Sequence, residues 1–230
     1  MKKIGLIGGM SWESTLVYYK LINEKINIHF GGLHSSKCIL DSINFAEAQE
    51  LLDLENYKKL NKLMVNSAIN LEKCGAEVLI LSCNTMHICA ESIKSNINIP
   101  FLHIAEETGR EIKRKNIKNV LLLGTKATME KSFYKNILKK MFNIEVIVPS
   151  KSDIEVIHNV IYKELVRGII TLESKRKYLE IIKKNIDNGA EGVILGCTEI
   201  PMLIKQNDCD IPIFNTTKIH VESIVKFSIQ

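Results

Sequence analysis

Residues 75–87 read GAEVLILSCNTMH, and residues 189–201 read GAEGVILGCTEIP. Each phrase opens on a glycine, crosses a short apolar and β-branched run, reaches a cysteine and then turns polar. A run of this length bounded by turn signals reads as a strand buried on both faces, the kind found in parallel sheets covered by helices. Gly75 to Cys83 and Gly189 to Cys197 span the same number of steps, so the phrases are in register at an offset of 114 residues. That is about half the chain length, and it points to duplication.

Two further matches lie at nearly the same spacing. LIGG (6–9) pairs with LLGT (122–125) at an offset of 116, and IPFLHI (99–104) pairs with IPIFNT (211–216) at an offset of 112. Three matches in the same order are expected of a repeated lobe rather than of chance likeness between buried strands. Strands are expected at 3–8, 37–43, 77–83, 100–104, 119–124, 144–149, 192–197 and 211–215, with about nine helical segments between them. The fold class is α/β, with two pseudo-symmetric lobes, each a parallel sheet flanked by helices. One lobe is expected to comprise 1–98 plus 209–230 and the other 99–208. No Gly/Ser-rich or Pro-rich linker separates them, which predicts tight packing and an interlobe cleft.

With 230 residues, 46% of them apolar, and only 4 Pro and 12 Gly, the chain is long enough to bury a real core. No apolar run approaches the ~18 residues that a membrane-spanning helix needs. The opening MKKIGLIGGMSWEST is broken by glycine and soon turns polar, unlike a signal peptide. Six cysteines form no CxxC pair, which fits a reducing, cytoplasmic setting. The net charge of +5 is spread along segments such as REIKRKNIK (110–118) rather than gathered with aromatics, so neither nucleic acid nor membrane is expected as a partner.

Open parallel sheets bind ligands at the carboxyl ends of their strands. Cys83 and Cys197 both fall there, followed by Asn84-Thr85 and by Thr198-Glu199 ahead of expected helix starts. Backbone N–H groups at such a point favour a thiolate and a bound carboxylate. A single cysteine at a strand end is more often core than catalyst. Two at repeat-equivalent positions, each trailed by polar residues where apolar ones would pack better, read as functional. On opposite walls of one cleft, two thiols suit the inversion of a carbon stereocentre. One removes a proton from one face, the other returns a proton to the opposite face, and the roles exchange in reverse. Loss of a proton α to a carboxylate leaves an enolate-like dianion. Asn84, Thr85 and Thr198, with Ser11 and Thr125 after the two glycine loops, are placed to hold it. No Schiff-base lysine motif or metal-ligand cluster is visible, so no cofactor and no metal are expected.

Cys38, Cys74, Cys89 and Cys209 lack such company and are read as structural. Cys83 and His87 have the spacing of half a metal site without a second ligand pair. His87 and Glu199 are read instead as orienting or tuning the cysteines beside them, with Glu199 also a substrate contact. His29, His34, His103, His158 and His220 belong to no constellation. GLIGGMSW lacks the GxGxxG spacing of a dinucleotide loop. Its glycines are read as letting Met10 and Ser11 approach a small ligand, with Trp12 plugging the loop.

LIGGMSWEST, SCNTMH and GCTEIP together resemble the aspartate/glutamate racemase family, specifically its aspartate racemase branch, over almost the whole chain. The resemblance implies a two-lobed, cofactor-independent amino-acid racemase, usually a homodimer, with Cys83 and Cys197 as the acid/base pair acting on a small acidic amino acid. Glutamate racemases of the cell-wall pathway are similar but typically carry a histidine right after the second cysteine-threonine, where this chain has Glu199. Arylmalonate decarboxylases and maleate isomerases share the fold but vary or lose one cysteine.

Some aspartate racemases hold the side-chain carboxylate with an arginine after the second strand and a lysine on a second-lobe helix. Here NFAEAQE (44–50) has no basic residue, and Val166 within IYKELVRG stands at the lysine's place. Lys163, Arg167 and Gln49 are the candidates for a distal contact, and aspartate versus glutamate stays open. The alternative from another class is a solute-binding protein of two hinged lobes around a small acid. A nucleotide-dependent oxidoreductase is disfavoured by the broken glycine pattern.

Overall fold

The computed structural model describes residues 1–230. Its strands pair in parallel throughout and form two sheets. The first has the order β2-β1-β3, from β1 (Ile4–Gly8), β2 (Cys38–Ser42) and β3 (Val78–Leu81). The second has the order β5-β4-β6-β7, from β4 (Asn119–Gly124), β5 (Glu145–Ile147), β6 (Gly192–Gly196) and β7 (Ile213–Asn215). The strand expected at 100–104 shrinks to a single parallel bridge between Leu79 and Phe101. It cannot lengthen because α5 begins at Ile104. The bridge nonetheless repeats the pairing of β6 with β7. Leu79 N–H donates to the Pro100 carbonyl at 2.8 Å, and Val193 N–H to the Pro212 carbonyl at 2.9 Å.

The chain divides into two compact units, Met1–Ile104 with His220–Gln230, and Ala105–Ile219. The passages fall inside α5 (Ile104–Arg114) and α11 (Thr216–Ser228). Stretches 99–104 and 209–219 therefore group with the first and second units, because Phe101 pairs with β3 and β7 pairs with β6.

The recurrent Gly-Ala-Glu has a local cause in each unit. Gly75 follows α3 (Tyr57–Lys73) with φ +86°, and Gly189 follows α9 (Leu172–Asp187) with φ +97°. Only glycine adopts that conformation without strain as a helix ends. Ala76 and Ala190 are buried. Glu77 accepts the Lys3 N–H at 2.7 Å, and Glu191 accepts the Lys118 and Asn119 N–H groups at 2.9 and 2.8 Å. Each carboxylate thus ties the start of its strand to the start of the first strand of its own unit.

Helix α1 (Trp12–Phe30) presents Tyr18, Ile22 and Ile26 at four-residue spacing to Ile4 and Leu6 of β1 and Val78 and Ile80 of β3. In the second unit Leu121, Leu123, Val193 and Leu195 pack with Ile157 and Ile161 of α8 (Lys151–Lys163) and Tyr178 and Ile182 of α9. Each such side chain contributes about 1.5–3 kcal/mol by leaving water. The packed strands fix where their carboxyl-end loops emerge. No helix is long and apolar enough to cross a membrane.

Candidate active site

In the first unit β1 ends at Gly8 and the chain turns through Gly9 at φ +92°, where an added Cβ would collide with the backbone of Ile43. Ser11 then caps α1, its Oγ accepting the Ser14 N–H at 3.3 Å. Thr15 Oγ1 accepts the Gly9 N–H at 2.8 Å and lies 3.3 Å from Ser82 Oγ. One hydroxyl therefore gathers the glycine loop and the residue before Cys83. Half-buried Cys83 follows directly, and Asn84 and Thr85 are buried. A 3-10 turn, Thr85–Cys89, comes next in place of a regular helix start.

In the second unit Gly124 and Gly196 are paired on β4 and β6. A Cβ on Gly196 would stand 2.9 Å from the Leu123 carbonyl oxygen, so the strands approach this closely only with glycine there. Thr125 caps α6 (Lys126–Glu130) by accepting the Thr128 N–H at 3.3 Å, the arrangement that Ser11 and Ser14 make 114 residues earlier. Half-buried Cys197 follows β6, and its Sγ–H donates to Glu199 Oε2 at 2.9 Å. Glu199 is buried and Thr198 half-buried. The helix that follows, α10 (Ile200–Leu203), is a single turn. Tyr178 of α9 donates its hydroxyl to the Ile157 carbonyl at 3.1 Å. Its pKa is raised well above the ordinary value by burial, with smaller contributions from Cys197 and Glu164, so it stays a neutral phenol.

Met10 is buried, whereas Trp12 is 61% exposed as the first residue of α1 and does not plug the glycine loop. Gln49 donates to Asp53 at 2.8 Å on α2 (Phe45–Asp53), Lys163 and Arg167 are exposed, and Val166 packs against the second unit's core. Burial raises the thiol pKa of Cys38 and Cys209, and together with the nearby Cys83 pushes Cys89 up to about 12. Cys74 is exposed, and no cysteine is in a disulfide. His29 and His34 are exposed, and His158 Nδ1 accepts the Lys126 N–H at 3.3 Å.

Two histidines without a sequence constellation do join one in the structure. His87, His103 and His220 are all buried in the first unit, with ring centroids of His87 at 4.6 Å from His103 and 5.9 Å from His220. A carbonyl only accepts, so His87 Nδ1 carries the proton it gives to the Cys83 oxygen at 2.8 Å; Nε2 is then bare and accepts the Ile104 N–H at 3.2 Å. By the same reasoning His220 donates from Nε2 to the Leu102 carbonyl at 2.9 Å and accepts the Tyr18 hydroxyl at Nδ1, 3.0 Å away. Burial lowers all three pKa values, that of His103 to about 3 and that of His220 to about 4, with neighbouring histidines adding to the effect at His87. His87 is thus a neutral ring bonded to the Cys83 backbone. The sequence signal for His220 is its place beside the buried Val221 and one helical turn before the buried Ile224 on α11.

Against this geometry, a model of the Asp/Glu/Hydantoin racemase family matches residues 7–224. The chain belongs to that family. Among curated relatives, the broad specificity amino-acid racemase RacX of Bacillus subtilis is 26% identical over 177 residues, covering 74% of this chain and 73% of RacX. Among solved structures, a Yersinia pestis protein provisionally assigned as an Asp/Glu racemase is 43% identical, with TM-score 0.95 and full coverage of both chains. The aspartate racemase homologue PH1733 of Pyrococcus horikoshii OT3 is 36% identical, with TM-score 0.88 and full coverage of both. Membership in this racemase family supports an isomerase of the amino-acid racemase type acting on a small amino acid.

Proposed function

We propose that the protein interconverts L- and D-aspartate, and glutamate as a second substrate, by proton transfer at Cα between Cys83 and Cys197, without a cofactor. The observation that carries this reading is the pair of cysteines itself. Each lies just past the carboxyl end of the strand next to the first strand of its unit, Cys83 two residues after β3 beside β1 and Cys197 directly after β6 beside β4, at matched positions of a duplicated chain. In the proposed step one sulfur takes the proton from Cα as a thiolate while the other, a thiol, gives its proton to the opposite face. The pair ends with the roles reversed. Backbone N–H groups and the side chains of Met10, Ser11, Asn84, Thr85, Thr125 and Thr198 are the proposed surroundings of the substrate. Their hydrogen-bond donors would stabilise the enolate-like charge where it develops.

A wider range of amino acids is the second reading. It is favoured by the likeness to RacX and by the lack of any Lys or Arg in residues 43–50, after β2. The deciding experiment incubates single enantiomers in deuterated water and follows them by chiral chromatography. L-aspartate should yield D-aspartate carrying deuterium at Cα, with no added cofactor. Faster turnover of neutral amino acids would move the assignment to the wider reading. Tight binding of an acid with no loss of optical activity would instead favour a solute-binding protein.

A further inference from the structure

The two cysteines occupy matched positions of the repeat but differ in the charge beside them. At the carboxyl end of β6, Cys197 Sγ donates to Glu199 Oε2 at 2.9 Å, and Glu199 is only 8% exposed. The repeat-equivalent of Glu199, 114 residues earlier, is Thr85, a neutral hydroxyl. A thiol that donates to a carboxylate keeps its proton, and a carboxylate at that range repels the thiolate that deprotonation would leave. Poor solvation strengthens both effects.

Among groups on neighbouring elements of the second unit, Lys175 on α9 is held by Asp208 at 2.7 Å. Tyr178 on α9 is a buried neutral phenol, and Cys209 is a half-buried thiol. Glu164, at the end of α8, is a second carboxylate that accepts from Ser174 at 2.6 Å and Thr171 at 3.3 Å. The one cation of the 3-10 turn Leu165–Arg167, which packs on α10, is Arg167, and it is exposed.

We propose that Glu199 is a positioning residue that holds Cys197 in its thiol form in the resting protein, leaving Cys83 as the resting base. This rests on the two-thiol reading above. In the direction that starts from the resting form, the Cα proton passes to the Cys83 sulfur, and the Cys197 proton passes to the opposite face of the carbon. Cys83 is left as thiol and Cys197 as thiolate, and exchange with solvent restores the resting form. The enantiomer that needs Cys197 as base meets only the minor protonation state, so its KM is raised by the reciprocal of that state's fraction. Enantiomers have equal free energy, so kcat/KM is the same in both directions and kcat rises in proportion to KM.

The test is alkylation of the intact protein by iodoacetamide from about pH 6 to about pH 10, read peptide by peptide, in wild type, E199Q and E199D. In E199Q the pH midpoint for Cys197 should fall by about one unit, giving roughly tenfold faster labelling near neutrality. E199D should stay near wild type, and Cys83 labelling in the same molecules should not move. The wild type should show a several-fold difference in KM between enantiomers, and that difference should narrow in E199Q. An unchanged or higher Cys197 midpoint in E199Q, with normal Cys83 labelling, overturns the proposal. Wild type alone is also decisive if the variants do not fold: Cys197 must titrate above Cys83, and the opposite order overturns it. Should the labelling shift occur while no amino acid is racemised, the two-thiol function fails and the effect of Glu199 on the thiol stands.

Discussion

The His87 ring joins the Cys83 carbonyl to the Ile104 amide, with Nδ1 donating at 2.8 Å and Nε2 accepting at 3.2 Å. A neutral buried ring cannot serve Cys83 as an ionic partner, so its effect on the thiol runs through the backbone. His87→Ala removes a partner from two buried backbone groups and opens a cavity, and it should cost about 2–4 kcal/mol in denaturant-unfolding experiments. His87→Asn can restore only the bond at Nδ1, and His87→Gln only the one at Nε2, so each should recover part of the loss. If all three variants unfold at the wild-type midpoint, the clamp is energetically idle.

The same cluster sets an acid limit. His103 and His220 are neutral when folded, with pKa values lowered to about 3 and about 4, whereas an unfolded chain protonates histidine below about 6.5. Between those values the unfolded state binds more protons, so stability is full above about pH 6.5 and falls as pH drops, by up to about 1.4 kcal/mol per pH unit for each ring. Urea midpoints measured from pH 7 down to pH 5 should decline. His220→Asn should make that decline shallower by about one proton. An unchanged slope in His220→Asn would remove His220 from the account.

Glycines of the repeated phrase divide into two kinds. Gly189 has φ +97° and open space where a Cβ would stand, so Gly189→Ala carries only the conformational penalty, about 1 kcal/mol. Gly196 faces the Leu123 carbonyl oxygen at 2.9 Å, and Gly196→Ala must push β4 and β6 apart beside Cys197. It should cost more than about 2 kcal/mol and lower activity as well. Thermal unfolding and turnover measured on both variants check this. Equal losses in the two would contradict the close strand approach.

Much of this was legible because it is local and repeated. GAE, the strands and the cysteines recur at fixed offsets, and each recurrence corresponds to the same cap, carboxylate bond and strand pairing in its own unit. What escaped the sequence is what depends on distant segments. His103 and His220 look solitary because 117 positions separate them, yet the His87 ring lies at an angle close to both. The strand expected at 100–104 was lost to competition, since Ile104 already belongs to α5 and only Phe101 pairs. Trp12 reads as core by type, but helix phase turns it outward. The identity of a distal substrate contact is likewise not a matter of local pattern, because the sequence candidates Gln49, Lys163 and Arg167 lie on separate elements.

Replacing the cysteines separates chemistry from fold. Cys83→Ala and Cys197→Ala each delete one half-buried sulfur at a strand end, so each should lose little stability and unfold near the wild-type midpoint. Turnover should drop by roughly 10²–10⁴-fold in either variant, the range typical of removing a general acid or base. The two losses should not multiply in the double variant, because in the proposed mechanism inversion uses both sulfurs in one event. Deuterium incorporation distinguishes the singles. A variant with one thiol left can still exchange the Cα proton of the enantiomer that faces that thiol, with retention of configuration, so Cys197→Ala and Cys83→Ala should exchange opposite enantiomers. Exchange of the same enantiomer by both variants would place the two sulfurs on one face of the carbon and end the two-base mechanism.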